Sequence, residues 1–184
     1  MIKYTTVSDT RELEQILALQ KKNVEKVLDE AEVKSQGFVT VHHDLELLEA
    51  MNRPYPHIIA KDGDQVVGYT LVMLQSFKAV IPVLVSMFEQ IDTINYEGEQ
   101  LGDVDYFIMG QVCIDKAYRG KGIFVGLFDK MREEMSDKFK YIITEVASRN
   151  TRSIAAHLKV GFKNIKEYTS ERGEEWVILL WDWK

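Results

Sequence analysis

The stretch Gln111-Val112-Cys113-Ile114-Asp115-Lys116-Ala117-Tyr118-Arg119-Gly120-Lys121-Gly122-Ile123-Phe124 constrains this chain more than any other. An apolar run of the kind that makes a buried strand passes through a short polar turn into two glycines. Apolar residues then recur at helical period, at Phe124, Leu127, Phe128, Met131 and Met135. Asp129, Lys130, Arg132, Glu133 and Glu134 fall off that stripe and are expected to face water. A strand that turns through glycine into a helix N-terminus offers backbone N–H groups and the positive end of a helix dipole. That arrangement suits a phosphate or pyrophosphate. Gly120 and Gly122 let an anion approach the backbone, while Arg119 and Lys121 add charge.

Other readings of the turn fare worse. A P-loop needs Ser or Thr after Gly-Lys, and here Gly120-Lys121 is followed by Gly122. A dinucleotide fold wants a glycine at position 125, where Val125 stands, with Gly126 giving only a loose variant of the spacing. Such folds also repeat the strand–helix unit, and too little chain follows for that. The bland alternative is a tight strand-to-helix connection with no ligand.

A second constellation lies downstream. Tyr141-Ile142-Ile143-Thr144-Glu145-Val146 reads as a buried strand, and residues 150–162 as a capped helix. Asn150 or Thr151 caps its start, Ile154 and Leu158 are apolar at helical spacing, and Gly161 sits where a left-handed cap falls. The first stretch resembles the acetyl-coenzyme A signature of the GCN5-related N-acetyltransferase (GNAT) superfamily: Arg or Gln, two residues, Gly, one residue, then Gly or Ala. Arg119 and Gly122 match at that spacing, whereas Phe124 stands where a small residue is usual. Its ring is expected to turn under the helix while its backbone N–H still faces the anion. The second stretch is similar to the superfamily's Asn, helical Tyr and Gly-Phe, here Asn150, His157 and Gly161-Phe162. With the flanking strands the resemblance covers roughly residues 55–184.

This resemblance implies an α/β (α+β) fold of GNAT type, with a mixed, mostly antiparallel central sheet of six to seven strands flanked by helices. It implies one N-acetyltransferase domain over residues 1–184, with acetyl-CoA as co-substrate and no metal. The acetyl group passes directly to a primary amine of a small molecule or peptide, without a covalent enzyme intermediate. Arg119, Gly120, Lys121, Gly122, Ile123 and Phe124 would hold the pyrophosphate. The strand Val112-Cys113-Ile114 would line the pantetheine arm, paired through the backbone of Val112 and Ile114, and Asn150 would contact the same arm. His157, at the Tyr position, is the candidate proton donor to the departing thiolate, since histidine titrates near working pH. The alternative is a packed helix histidine. Glu145, at the end of a central strand, is the candidate base; Glu99, Asp103 and Asp105 compete with it, and for all four a solvated surface acid is the commoner role. Phe38, Phe77 and Phe107 are candidate acceptor-pocket residues, with core packing as the competing role. The changes at Phe124 and His157 motivate a second function, a non-catalytic acyl-CoA-binding sensor or regulatory module.

The remaining chain completes the plan. Residues 2–7 read as a strand, followed by a helix with Leu13, Ile16, Leu17 and Leu19 inward. Helical patterns follow at about residues 23–31 and around Leu45–Met51, with residues 36–44 partly extended between them. Residues 57–61 and 66–74 make a hairpin across Asp62-Gly63-Asp64, residues 106–114 lead to the glycine turn, and residues 176–181 close the sheet. Residues 75–105 form an insertion-like segment, read either as a surface excursion with a small helix near residues 80–90 or as an acceptor-site wall or a homodimer contact. His42 and His43 would point to opposite faces of a strand and His57 is isolated, so no metal site is expected.

Composition fits such an enzyme. Hydrophobic residues make up 46% and charged residues 28% of the 184 positions, as in ordinary globular proteins. A net charge of −6 argues against nucleic acid and mildly favours a cationic acceptor. The single cysteine, Cys113, lies in an apolar run as a buried thiol. No apolar stretch reaches membrane-spanning length and no leader pattern opens the chain, so a cytoplasmic location and no membrane partner are expected.

Overall fold

The computed structural model describes residues 1–23, 43–81 and 84–184. The helix expected at 23–31, most of the segment 36–44 and the candidate residue Phe38 lie outside the described residues. The strands are β1 (Ile2–Thr6), β2 (Ile58–Asp62), β3 (Gln65–Leu74), β4 (Asn95–Tyr96), β5 (Glu99–Gln100), β6 (Tyr106–Ile114), β7 (Tyr141–Ala147), β8 (Lys163–Thr169) and β9 (Glu175–Asp182). The α-helices described are α1 (Thr10–Lys22), α2 (Leu45–Asn52), α3 (Val85–Asp92), α4 (Ile123–Met135) and α5 (Thr151–Val160). Seven strands hydrogen-bond in the order β1-β2-β3-β6-β7-β9-β8, and β4 and β5 form a separate hairpin. The β1–β2, β2–β3, β7–β9 and β8–β9 pairs are antiparallel and β6–β7 is parallel.

The fold divides into two compact units, residues 1–72 with 109–135, and residues 73–108 with 136–184; β3 and β6 belong partly to each. In the first unit, Asp9 caps α1 by accepting from the Glu12 N–H at 2.9 Å, and Leu13, Ile16 and Leu19 are buried. The β2–β3 hairpin carries a bulge between Ala60 and Lys61. His57 is fully buried; Nδ1 accepts from the Val72 N–H at 3.1 Å and Nε2 donates to the Leu48 carbonyl at 3.3 Å. Both ring nitrogens therefore serve structure, and burial holds the ring neutral with its pKa down at about 3.

In the second unit, β7 is buried at every position but the half-buried Glu145, as in a strand covered on both faces, and pairs with β9 from Tyr141 opposite Asp182 to Ala147 opposite Trp176. The register between β6 and β7 spans only residues 106–108 against 141–143. Three features depart from expectation. A 3-10 turn, Gln75–Ala79, precedes α3, which begins at Val85 rather than near residue 80. Strand β8 was not legible because Lys163–Thr169 is mostly polar, as an edge strand is free to be. The buried stripe of α4, in the first unit, starts at Ile123 rather than Phe124.

Candidate functional site

The glycine turn in the first unit is built by short-range bonds. The Asp115 N–H donates to the Val67 carbonyl at 2.9 Å, and the Asp115 carboxylate accepts from the Ala117 N–H at 3.0 Å, opening a 3-10 turn over Lys116–Tyr118. Gly120 and Gly122 then take φ of 75° and 78°, a left-handed backbone that residues with a Cβ resist. A Cβ added at either would meet nothing within 4 Å, so both glycines border open space. Helix α4 follows at once, and the Gly126 N–H donates to the Gly122 carbonyl at 3.1 Å; the amides before it belong to the N-terminal turn. Positive φ, open space and a 13-residue helix start coincide at one place, and they fit a pyrophosphate.

The side chains around this turn divide the labour differently from expectation. Arg119 turns back on the protein: Nε donates to the Ile114 carbonyl at 3.1 Å and Nη2 to Asn23 Oδ1 at 2.5 Å. Lys121 is exposed, its ammonium 5.0 Å above the Tyr118 ring. Phe124 is half-buried with its ring 4.7 Å from that of Phe128, one turn along the helix. Gly126 marks close packing: a Cβ there would lie 2.2 Å from the Tyr4 ring on β1. Val112 and Ile114 are half-buried, whereas Cys113 and Ile123 are buried. Burial pushes the Cys113 thiol up to about 12, which leaves it unreactive near neutral pH. Beside it, Gln111 Oε1 accepts from the Tyr69 hydroxyl at 2.5 Å and from Gln20 Nε2 at 2.8 Å. Asn23, Gln20 and Tyr69 went unread in the sequence, since nothing local links them to residues 42 to 96 positions away.

The second unit holds the remaining candidates. Asn150 caps α5, its Oδ1 accepting from the Ser153 N–H at 3.4 Å. His157 is buried at 1% exposure, and its Nδ1–H donates to the Ser153 carbonyl at 2.7 Å. Burial lowers its pKa to about 4, so the ring is neutral at pH 7. Glu145 is partly buried on β7, and burial raises its pKa to about 7 although the Tyr168 hydroxyl donates to it. Phe107 is a correction. It is completely buried between Phe139 and Trp183, with ring centroids at 5.3 and 5.6 Å, because β6 faces the core there; it is not a pocket wall. Phe77 is half-buried in the 3-10 turn. Glu99 pairs with Lys140 and accepts from the Tyr141 hydroxyl at 2.6 Å, a surface arrangement. Among the described residues no group of three or more His, Cys, Asp or Glu is placed to hold a metal ion, and no helix is long and apolar enough to cross a membrane.

Comparison with protein families matches residues 24–162 to the model described as Acetyltransferase (GNAT) family. Comparison with curated proteins finds no match. Among solved structures, the ribosomal-protein-S18-alanine N-acetyltransferase from Escherichia coli superposes with a TM-score of 0.63 at 10% identity, over 99% of this chain and 94% of that one. The NatC complex bound to Gag peptide and CoA gives 0.64 at 16% identity, over 100% and 99%. YncA of Salmonella typhimurium, solved with its cofactor acetyl-CoA, gives 0.63 at 14% identity, over 100% and 95%. At these identities the likeness is one of fold.

Proposed function

Since this chain belongs to the acetyltransferase (GNAT) family, we propose that it is a single-domain N-acetyltransferase. In this reading it moves the acetyl group of acetyl-CoA directly to a primary amine of a small molecule or peptide. The observation that carries the reading is the turn at Gly120 and Gly122, where left-handed backbone and open space lead straight into α4. Neighbours named for an alanine N-acetyltransferase and for a bound Gag peptide support an amine acceptor of peptide kind.

The roles follow from the chemistry of each group. Acetyl-CoA supplies the acyl group as a thioester. The amides of residues 120–124, with exposed Lys121 beside them, hold the pyrophosphate, and the backbone of Val112 and Ile114 takes the pantetheine arm as an added strand. Cys113 and Ile123, buried, shape the walls behind those contacts. Asn150 is assigned a contact with the arm in addition to its role as the cap of α5. Glu145 takes the proton of the acceptor amine, since a carboxyl with its pKa near 7 exchanges protons at neutral pH. With its Nδ1–H on the Ser153 carbonyl, neutral His157 has no second N–H to give, so its role as proton donor to the departing sulfur requires a proton first taken up at Nε2.

Calorimetry with coenzyme A on Gly122→Val tests the cradle. Valine cannot take φ of 78° without strain and fills the open space, so affinity should be lost. Unchanged affinity in a folded variant would overturn the assignment. The low pKa of His157 specifically favours a second reading, the non-catalytic acyl-CoA sensor. A panel of amines with detection of released free thiol separates the two: thiol release that depends on the amine establishes the enzyme, and tight binding without release establishes the sensor.

A further inference from the structure

The positive residue of the signature turn, Arg119, is tied to the end of a helix 96 positions earlier. Asn23 follows α1 directly, is 6% exposed, and its own N–H donates to the Gln20 carbonyl at 2.9 Å. Its Nδ2 donates to the Leu19 carbonyl at 2.8 Å while its Oδ1 accepts from Arg119 Nη2. The first bond decides which end of the amide meets the guanidinium. The amide supplies from its two ends the donor and the acceptor that these two partners require.

On the other side, Arg119 Nε donates to the Ile114 carbonyl at 3.1 Å, which closes the backbone from the end of β6 to the residue before Gly120 into a ring. The guanidinium is a planar fork with fixed donor directions, so holding one arm orients the other. We propose that Asn23 is a positioning residue for the cofactor cradle. Acting through Arg119, it holds the turn in the shape that presents the amides of residues 120–124 to the pyrophosphate. This rests on the reading of that turn as the cofactor cradle. Preorganised donors raise affinity because the ligand does not have to order them.

The test compares coenzyme A affinity by calorimetry in wild type, Asn23→Ala, Asn23→Asp and Gly122→Val, each with a melting curve. Asn23→Ala should weaken coenzyme A about tenfold, the scale of one hydrogen bond to a charged group. Turnover at saturating coenzyme A should stay near wild type. Asn23→Asp keeps the acceptor for Arg119 and should retain affinity within about threefold, even if it melts lower for want of the Leu19 bond. Arg119→Lys, which cannot span both partners, should weaken binding about as much as Asn23→Ala, and the double variant no further. Should Asn23→Ala not fold, the Arg119→Lys and Asn23→Asp pair decides the question in its place. Wild-type affinity in Asn23→Ala, or in Arg119→Lys, alongside loss in Gly122→Val, overturns this inference and leaves the cradle standing. Wild-type affinity in Gly122→Val overturns the cradle itself.

Discussion

Burial moves Glu145 and the two inward histidines in opposite directions with pH. Glu145 has a folded pKa of about 7 against an ordinary 4.5, so the folded state holds the extra proton in that window. Its contribution is fully present below 4.5 and is lost as pH rises through about 7. His57 and His157, held at about 3 and 4 against 6.5, contribute stability above 6.5 that is lost as pH falls. Urea denaturation should therefore show wild type losing stability relative to Glu145→Gln as pH climbs from 4.5 to 7. A pH-independent difference would mean that the carboxyl is as hydrated folded as unfolded. For His157 the expected outcome concerns rate. His157→Phe should lower turnover about tenfold or more with coenzyme A affinity intact, and His157→Tyr, which restores a donor, should keep more of it. Equal turnover in the two, with chemistry rate-limiting, reduces His157 to packing against Phe162, whose ring stands 5.1 Å away edge-on.

At the scale of elements, α4 packs on β1 with the end of the Tyr4 ring against Gly126. An exposed helical Gly→Ala change commonly stabilises by up to about 1 kcal/mol. At Gly126 the new Cβ would enter the Tyr4 ring, 2.2 Å from its nearest carbon, so the sign should reverse to a loss of about 1–3 kcal/mol. Adding Tyr4→Ala should recover part of that loss, and a double-mutant cycle by chemical denaturation reads the coupling. Additive effects would mean that α4 slides freely on β1. Helix α4 was legible because its stripe has the right period, yet its first inward residue was misread. Phe124 and Ile123 are both large and apolar, and only packing shows which one faces in. Strand β8 left no trace, since an edge strand with one neighbour, β9, carries no buried alternation to read.

The whole molecule carries a net charge of −6, which sets a field that draws cations. If the acceptor is a cationic amine, kcat/KM should fall as salt rises from about 0.01 to 0.15 M, where screening shortens from about 30 to 8 Å, with kcat little changed. A salt-independent kcat/KM across a panel of cationic amines would remove electrostatic steering from the account. Fold class, sheet type and the glycine turn before α4 were readable from the chain because backbone demands are local. A left-handed residue before a helix favours glycine, a covered strand favours a mostly apolar run, and each leaves its mark where it acts. Arg119 was readable as a residue but not as a contact, for its partner Asn23 lies 96 positions away and no local pattern names it. The same holds for Phe107, enclosed by Phe139 and Trp183, and for Glu145, whose proton affinity comes from what is packed around it. Which side chains are buried, and beside what, is decided by segments far apart in the chain, and only the tertiary structure brings those together.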